Sequence, residues 1–143
     1  MVDARFAALV VLPNAVSLAV SSAAGSSRGM CPRATLAPPG WVFAVVWPTL
    51  YLLLGVAMAR ADAPLLARLF VLVAALNAWW VAFSGRCAPV PALAGILSVL
   101  SYAAYTAWYA AWSGDATGAS LLVPLVAWLS FASLISVEIA LRH

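Results

Sequence analysis

Five apolar stretches run along the chain, each close to the roughly 20 residues an α-helix needs to cross about 30 Å of hydrocarbon. They lie near 6–24, 41–59, 64–84, 91–112 and 120–141, marked off by the few charges and by Gly, Ser and Pro. The intervening segments are a Gly/Ser/Pro-containing loop over 25–40 with Arg28 and Arg33, a short link over 60–63, a tight turn around Gly85-Arg86-Cys87, and a Gly/Asp/Thr linker over 113–119. The pattern predicts an all-α membrane protein, a bundle of five transmembrane helices forming a single domain over residues 1–143, with its termini on opposite sides. The first stretch also admits another reading. Arg5 precedes an apolar run, and Ser22-Ala23-Ala24 resembles the small-residue cleavage site of a secretory signal, which would leave four spans. The five-span reading is preferred.

Composition agrees with a bilayer. The chain is 66% hydrophobic and 8% charged, with a mean hydropathy of +1.07, more apolar surface than one small soluble domain can bury. Its basic residues are all Arg and the net charge is only +3, with no basic run of the kind that binds nucleic acid. Arg5, Arg60 and Arg68 belong to one side and Arg28, Arg33, Arg86 and Arg142 to the other, so the positive-inside rule favours a cytoplasmic C-terminus by a single Arg. Cys31 and Cys87 fall in the first and third loops, on the same side in this topology. A disulfide is geometrically open, but two free thiols are the preferred reading, because spacing does not establish proximity. Two cysteines and His143 at the last position make no metal site.

Candidate chemistry sits inside the second, third and fifth stretches. Phe43, Trp47 and Tyr51 are four residues apart and form one aromatic stripe, either a packed interface or the wall of a cavity for a flat apolar ligand with the Tyr51 hydroxyl as polar handle. Trp41 reads as an interfacial anchor. Asn77 places an amide well inside a span, where it must hydrogen-bond another helix or face a cavity. In the fifth stretch Trp128, Ala132 and Ile135 share a face, and an inward Trp beside a small Ala leaves room for a ring system. Glu138 reads as an interfacial carboxylate able to meet Arg142 at i+4. The fourth stretch carries Tyr102, Tyr105, Trp108, Tyr109 and Trp112 toward one end, as in an aromatic belt, and an Ala103, Ala107, Ala111 ladder that favours close helix packing, within the chain or in a homodimer. Gly55 with Ala59 is a second such candidate.

Taken in order, Pro38-Pro39-Gly40-Trp41-Val42-Phe43, Trp47, Leu50-Tyr51 and Gly55, then Asn77 and Trp80 with Phe83 and Gly85, then Leu121-Leu122 with Pro124, Trp128 and Ala132 resemble the signature of the translocator protein (TspO/MBR) family. The likeness runs from about Pro38 to Arg142. It implies a five-helix bundle with a ligand cavity opening toward the first loop, which acts as a lid. Members bind porphyrins and other tetrapyrroles, sterols in animal forms, and benzodiazepine-type ligands. Carried over by motif, the candidate pocket is Trp47, Tyr51, Asn77, Trp80, Trp128 and Ala132, with Arg28, Arg33, Pro38, Pro39 and Phe43 as lid or secondary positions.

Some positions depart from the family. Thr35-Leu36-Ala37 stands where the family has Trp before its Pro-Pro, Leu125 replaces a Tyr, and Ser136 stands where Asn is frequent. The fifth helix also lacks the Tyr of the animal cholesterol motif, so tetrapyrroles are favoured over sterols. No cofactor is required on this reading; porphyrin or haem enters as ligand. The expected function is a membrane receptor or carrier for hydrophobic planar molecules, with the bilayer and that ligand as partners. The alternatives are a photo-oxidative porphyrin-degrading enzyme, in which indoles near a bound photosensitiser are oxidised, and a ligand-free structural subunit.

Overall fold

Because nearly every position between the loops is apolar, the helices cannot be told apart by one buried stripe each; what fixes their ends is capping chemistry. A computed structural model describes residues 4–24, 40–83 and 89–141. Within them the chain forms α1 (Ala4–Ala24), α2 (Gly40–Arg60), α3 (Ala63–Phe83), α4 (Pro89–Trp112) and α5 (Ala116–Leu141). Three helices contain spans long and apolar enough to cross a bilayer: Ala63–Ala82, Val90–Trp112 and Ala116–Leu141. The shorter apolar stretches Ala4–Val20 and Val45–Arg60 belong to α1 and α2.

The α4–α5 connection is tighter than the linker expected over 113–119. Gly114 adopts φ 95°, a left-handed conformation that glycine takes without a Cβ penalty. Its N–H donates to the Ala111 carbonyl at 3.2 Å and that of Asp115 to Ala110 at 2.8 Å, a Schellman closure of α4. Asp115 then caps α5 at once, its Oδ1 accepting the Gly118 N–H at 2.8 Å. The helix therefore starts about one turn before the expected boundary at 120. Asp62 does the same for α3, accepting the Leu65 N–H at 3.1 Å.

Packing is strongest between α4 and α5, then between α1 and α2, while α2 also touches α3 and α5. Buried on α4 are Ile96, Val99, Ala103, Thr106 and Ala110, and on α5 Gly118, Leu122, Leu125, Leu129 and Ser133. This corrects two expectations. Of the ladder on α4 only Ala103 is buried, Ala111 being exposed, because four-residue steps drift around a 3.6-residue helix. On α5 the Leu125–Leu129–Ser133 face is the buried one, and Trp128, Ala132 and Ile135 are half-buried beside it. Buried hydroxyls are satisfied within their own helices: Thr106 donates to the Tyr102 carbonyl and Ser133 to Leu129, each at 2.8 Å.

Gly55 explains how α1 docks. A Cβ placed there would lie 2.9 Å from Val10 Cα and 2.8 Å from the Val10 carbonyl carbon, so glycine permits backbone-to-backbone approach of α1 on α2. Gly55 is thus occupied inside the chain. Asn14 adds a tie across the same interface, its Nδ2 donating to the Pro48 carbonyl at 3.2 Å. Trp41, Phe70, Val71, Val81, Val123 and Leu134 point outward, as expected where lipid is the solvent.

Candidate ligand-binding site

Antiparallel neighbours bring the C-terminal halves of α1 and α3 beside the N-terminal halves of α2 and α4, and a cavity of about 140 Å³ lies among them. On α2 the four-residue repeat puts Trp47 and Tyr51 on its wall, with ring centroids 5.6 Å apart and tilted by 33°. Tyr51 is buried and shares a side-chain hydrogen bond with Ser17 of α1, another wall residue. From α3 come Leu76, Asn77, Trp79 and Trp80, and from α4 Ile96.

Asn77 is 6% exposed, and its Nδ2 donates to the Val73 carbonyl one turn back at 2.9 Å. The helix-to-helix hydrogen bond expected as one reading of this amide is not what forms. Its other polar end, Oδ1, has no hydrogen-bond partner among the described residues and belongs to a cavity-lining side chain, where a ligand donor could reach it. Trp79 ties the wall to α4 by donating from Nε1 to the Ala92 carbonyl at 3.0 Å, while its neighbour Trp80 remains 43% exposed at the cavity's outer edge.

Four of the six pocket residues expected from the sequence therefore converge: Trp47, Tyr51, Asn77 and Trp80. Trp128 is placed behind Trp47, edge-on at 6.4 Å and 88°, and continues through Phe131 at 5.5 Å, so it supports the wall rather than forming it. Ala132, one turn along α5, does not line the cavity. Arg28, Arg33, Pro38 and Pro39 lie outside the described residues, as does the Phe43 side chain, and so do Cys31, Cys87, Arg142 and His143. Glu138 is half-buried near the end of α5.

Sequence reasoning missed Ser17, Leu76, Trp79 and Ile96. Ser17 carried a signal, being a hydroxyl inside an otherwise apolar span. Trp79 was masked by its neighbour, since only one of two adjacent indoles fits the expected motif. Leu76 and Ile96 carried no signal beyond hydrophobicity.

The family model described as the TspO/MBR family matches residues 7–142. The chain belongs to the TspO/MBR family. No curated protein matched it in a direct search. Matching over nearly the whole length, together with three long apolar helices, makes it a TspO/MBR family membrane protein. Its cavity wall combines indoles, a phenol and an amide.

Proposed function

We propose that this TspO/MBR family protein is a five-span membrane receptor or carrier for hydrophobic planar ligands, with porphyrins as the favoured class. The observation that carries the reading is the convergence of Trp47, Tyr51, Asn77 and Trp80 on one largely apolar cavity. Indole and phenol faces bind a conjugated ring by burial and stacking, and the Asn77 carbonyl accepts from a ring N–H. Size limits the mode of binding. An apolar cavity of about 150 Å³ holds a benzene-sized molecule, so at about 140 Å³ this one takes a single ring of a macrocycle. The remainder would extend past Trp80, or the cavity would widen as α1 moves.

The test is titration of the purified, detergent-solubilised protein with protoporphyrin IX, following tryptophan quenching in the native chain and in a Trp47→Ala, Trp128→Ala variant. Saturable quenching that is lost in the still-folded variant supports the pocket; equal affinity in both sinks it. The degradation reading draws on the edge-to-face Trp47–Trp128 pair, since indoles beside a photosensitiser are oxidisable. Under light and oxygen an unchanged porphyrin spectrum supports the receptor, whereas new absorption bands that require Trp47 or Trp128 support an enzyme.

A further inference from the structure

Arg68 sits at the opposite end of α3 from the cavity, nine residues before Asn77 and about 13 Å away along the helix. Its guanidinium carbon lies 4.0 Å from the Tyr109 ring centroid and 5.9 Å from that of Tyr105. Nε donates to the Tyr105 hydroxyl at 3.3 Å, and a terminal nitrogen donates to the Pro64 carbonyl at 2.9 Å. The Tyr102 hydroxyl in turn donates to the Arg68 carbonyl at 3.3 Å. Three tyrosines of α4 thus hold one arginine of α3 in place.

Among the described residues no carboxylate pairs with Arg68, and the acids at this end of the bundle, Asp62 and Asp115, cap α3 and α5. A guanidinium has five N–H donors in a rigid fork, and two are engaged here, which leaves three with no hydrogen-bond partner among the described residues. At the edge of a membrane span such donors are satisfied by water or by a lipid headgroup.

Depth and surroundings favour the headgroup. Arg68 is about 8 Å of helix rise past the start of α3. Beside it the α4 aromatics step outward through Tyr105, Trp108 and Trp112, with Trp108 and Trp112 stacked at 6.2 Å and both exposed. Indoles and phenols of this kind concentrate at the level of lipid headgroups. Toward the bilayer centre Val71 on α3 and Leu97 on α4 are exposed, and the exposed Ser98 and Ser101 of α4 return their hydroxyls to the carbonyls of their own helix.

We propose that Arg68 and the Tyr105 hydroxyl form a binding site for the phosphate of an anionic glycerophospholipid, whose acyl chains lie along Val71 and Leu97. The phosphate accepts from the open guanidinium donors and from the Tyr105 O–H, whose oxygen already accepts from Nε. Bidentate Arg–phosphate geometry suits a guanidinium that is already immobilised. An anionic lipid is favoured over a zwitterionic one because a choline or ethanolamine head would bring a second cation beside an arginine that has no carboxylate neighbour among the described residues.

The experiment uses the full chain in phosphatidylcholine nanodiscs with and without phosphatidylglycerol, counting retained lipid by native mass spectrometry after release into detergent. One phosphatidylglycerol retained by the native protein, lost in Arg68→Gln and kept in Arg60→Gln, is the expected result. Equal loss in both variants means a diffuse charge effect and overturns the site, as does retention unchanged by Arg68→Gln. Excess inorganic phosphate should leave the lipid bound; displacement by it would assign the site to a free anion instead. Circular dichroism checks the fold of each variant. Should Arg68→Gln not fold, Tyr105→Phe decides, with weakened retention expected and unchanged retention overturning the proposal.

Discussion

Replacing Gly55 by alanine tests the coupling between the fold and the cavity. The added methyl would stand 2.9 Å from Val10 Cα and 2.8 Å from its carbonyl carbon, with the carbonyl oxygen nearer still. Carbon atoms in contact prefer about 3.5–4.0 Å, so α1 must retreat by roughly 1 Å. Overpacking of this kind costs about 1–3 kcal/mol. The retreat also takes the 3.2 Å Asn14–Pro48 hydrogen bond beyond bonding range and loosens the Ser17–Tyr51 contact. Polar ties between membrane helices are worth about 0.6 kcal/mol each. The sum is a loss of about 2–4 kcal/mol, measured as a shift in reversible unfolding of the protein in mixed micelles titrated with dodecyl sulfate. Because the clash is with backbone, a second change of Val10→Ala should give no rescue. A shift below about 0.5 kcal/mol, the range of unremarkable surface changes, would refute the close approach, and rescue by Val10→Ala would relocate the clash to side chains.

Two further outcomes separate binding from stability. Asn77→Ala removes only a hydrogen bond to its own helix, so unfolding should change by less than about 1 kcal/mol, while porphyrin quenching, if Asn77 faces the ligand, weakens; equal losses in both assays would make it a packing residue. Asp115→Ala removes the α5 cap and should cost about 0.5–2 kcal/mol with ligand affinity unchanged, whereas Asp115→Asn, itself a good cap, should cost little; the same unfolding titration checks both.

The fold was legible because lipid imposes one rule, that each span satisfy its own backbone, and five apolar runs separated by charges express that rule directly. Less legible was how the helices face one another. In water an apolar stripe marks the buried side, but in α5 Leu125, Trp128, Leu129 and Val123 are all hydrophobic and only geometry separates the buried Leu129 from the exposed Val123. The face was therefore assigned to the aromatic residue, and the smaller leucines occupy it, since helices approach most closely where side chains are least bulky. The α5 start is hidden for a different reason: Asp115 fits a polar linker, although an acid immediately before a small-residue run is also a cap.

The cavity shows the same division between what residues announce and what packing decides. Tyr51 and Asn77 announced themselves because polar groups within a span need partners, and both are buried on the cavity wall. Ser17 reaches the wall because Gly55, one helical turn from Tyr51 on α2, lets α1 settle at Val10, about two turns from Ser17 on α1. A glycine with no chemistry of its own thereby sets which hydroxyl meets the phenol. That dependence makes the seat of α1 on α2 sensitive to position 55: the Asn14–Pro48 and Ser17–Tyr51 contacts lie along the same interface, whereas Trp79 is bonded to α4 and Trp47 is backed by Trp128. Of the two proposed ways to seat a macrocycle, widening by movement of α1 predicts that the Gly55→Ala chain, with α1 already set back, binds protoporphyrin IX more tightly than the native chain in the quenching titration, whereas unchanged or weaker binding favours extension past Trp80.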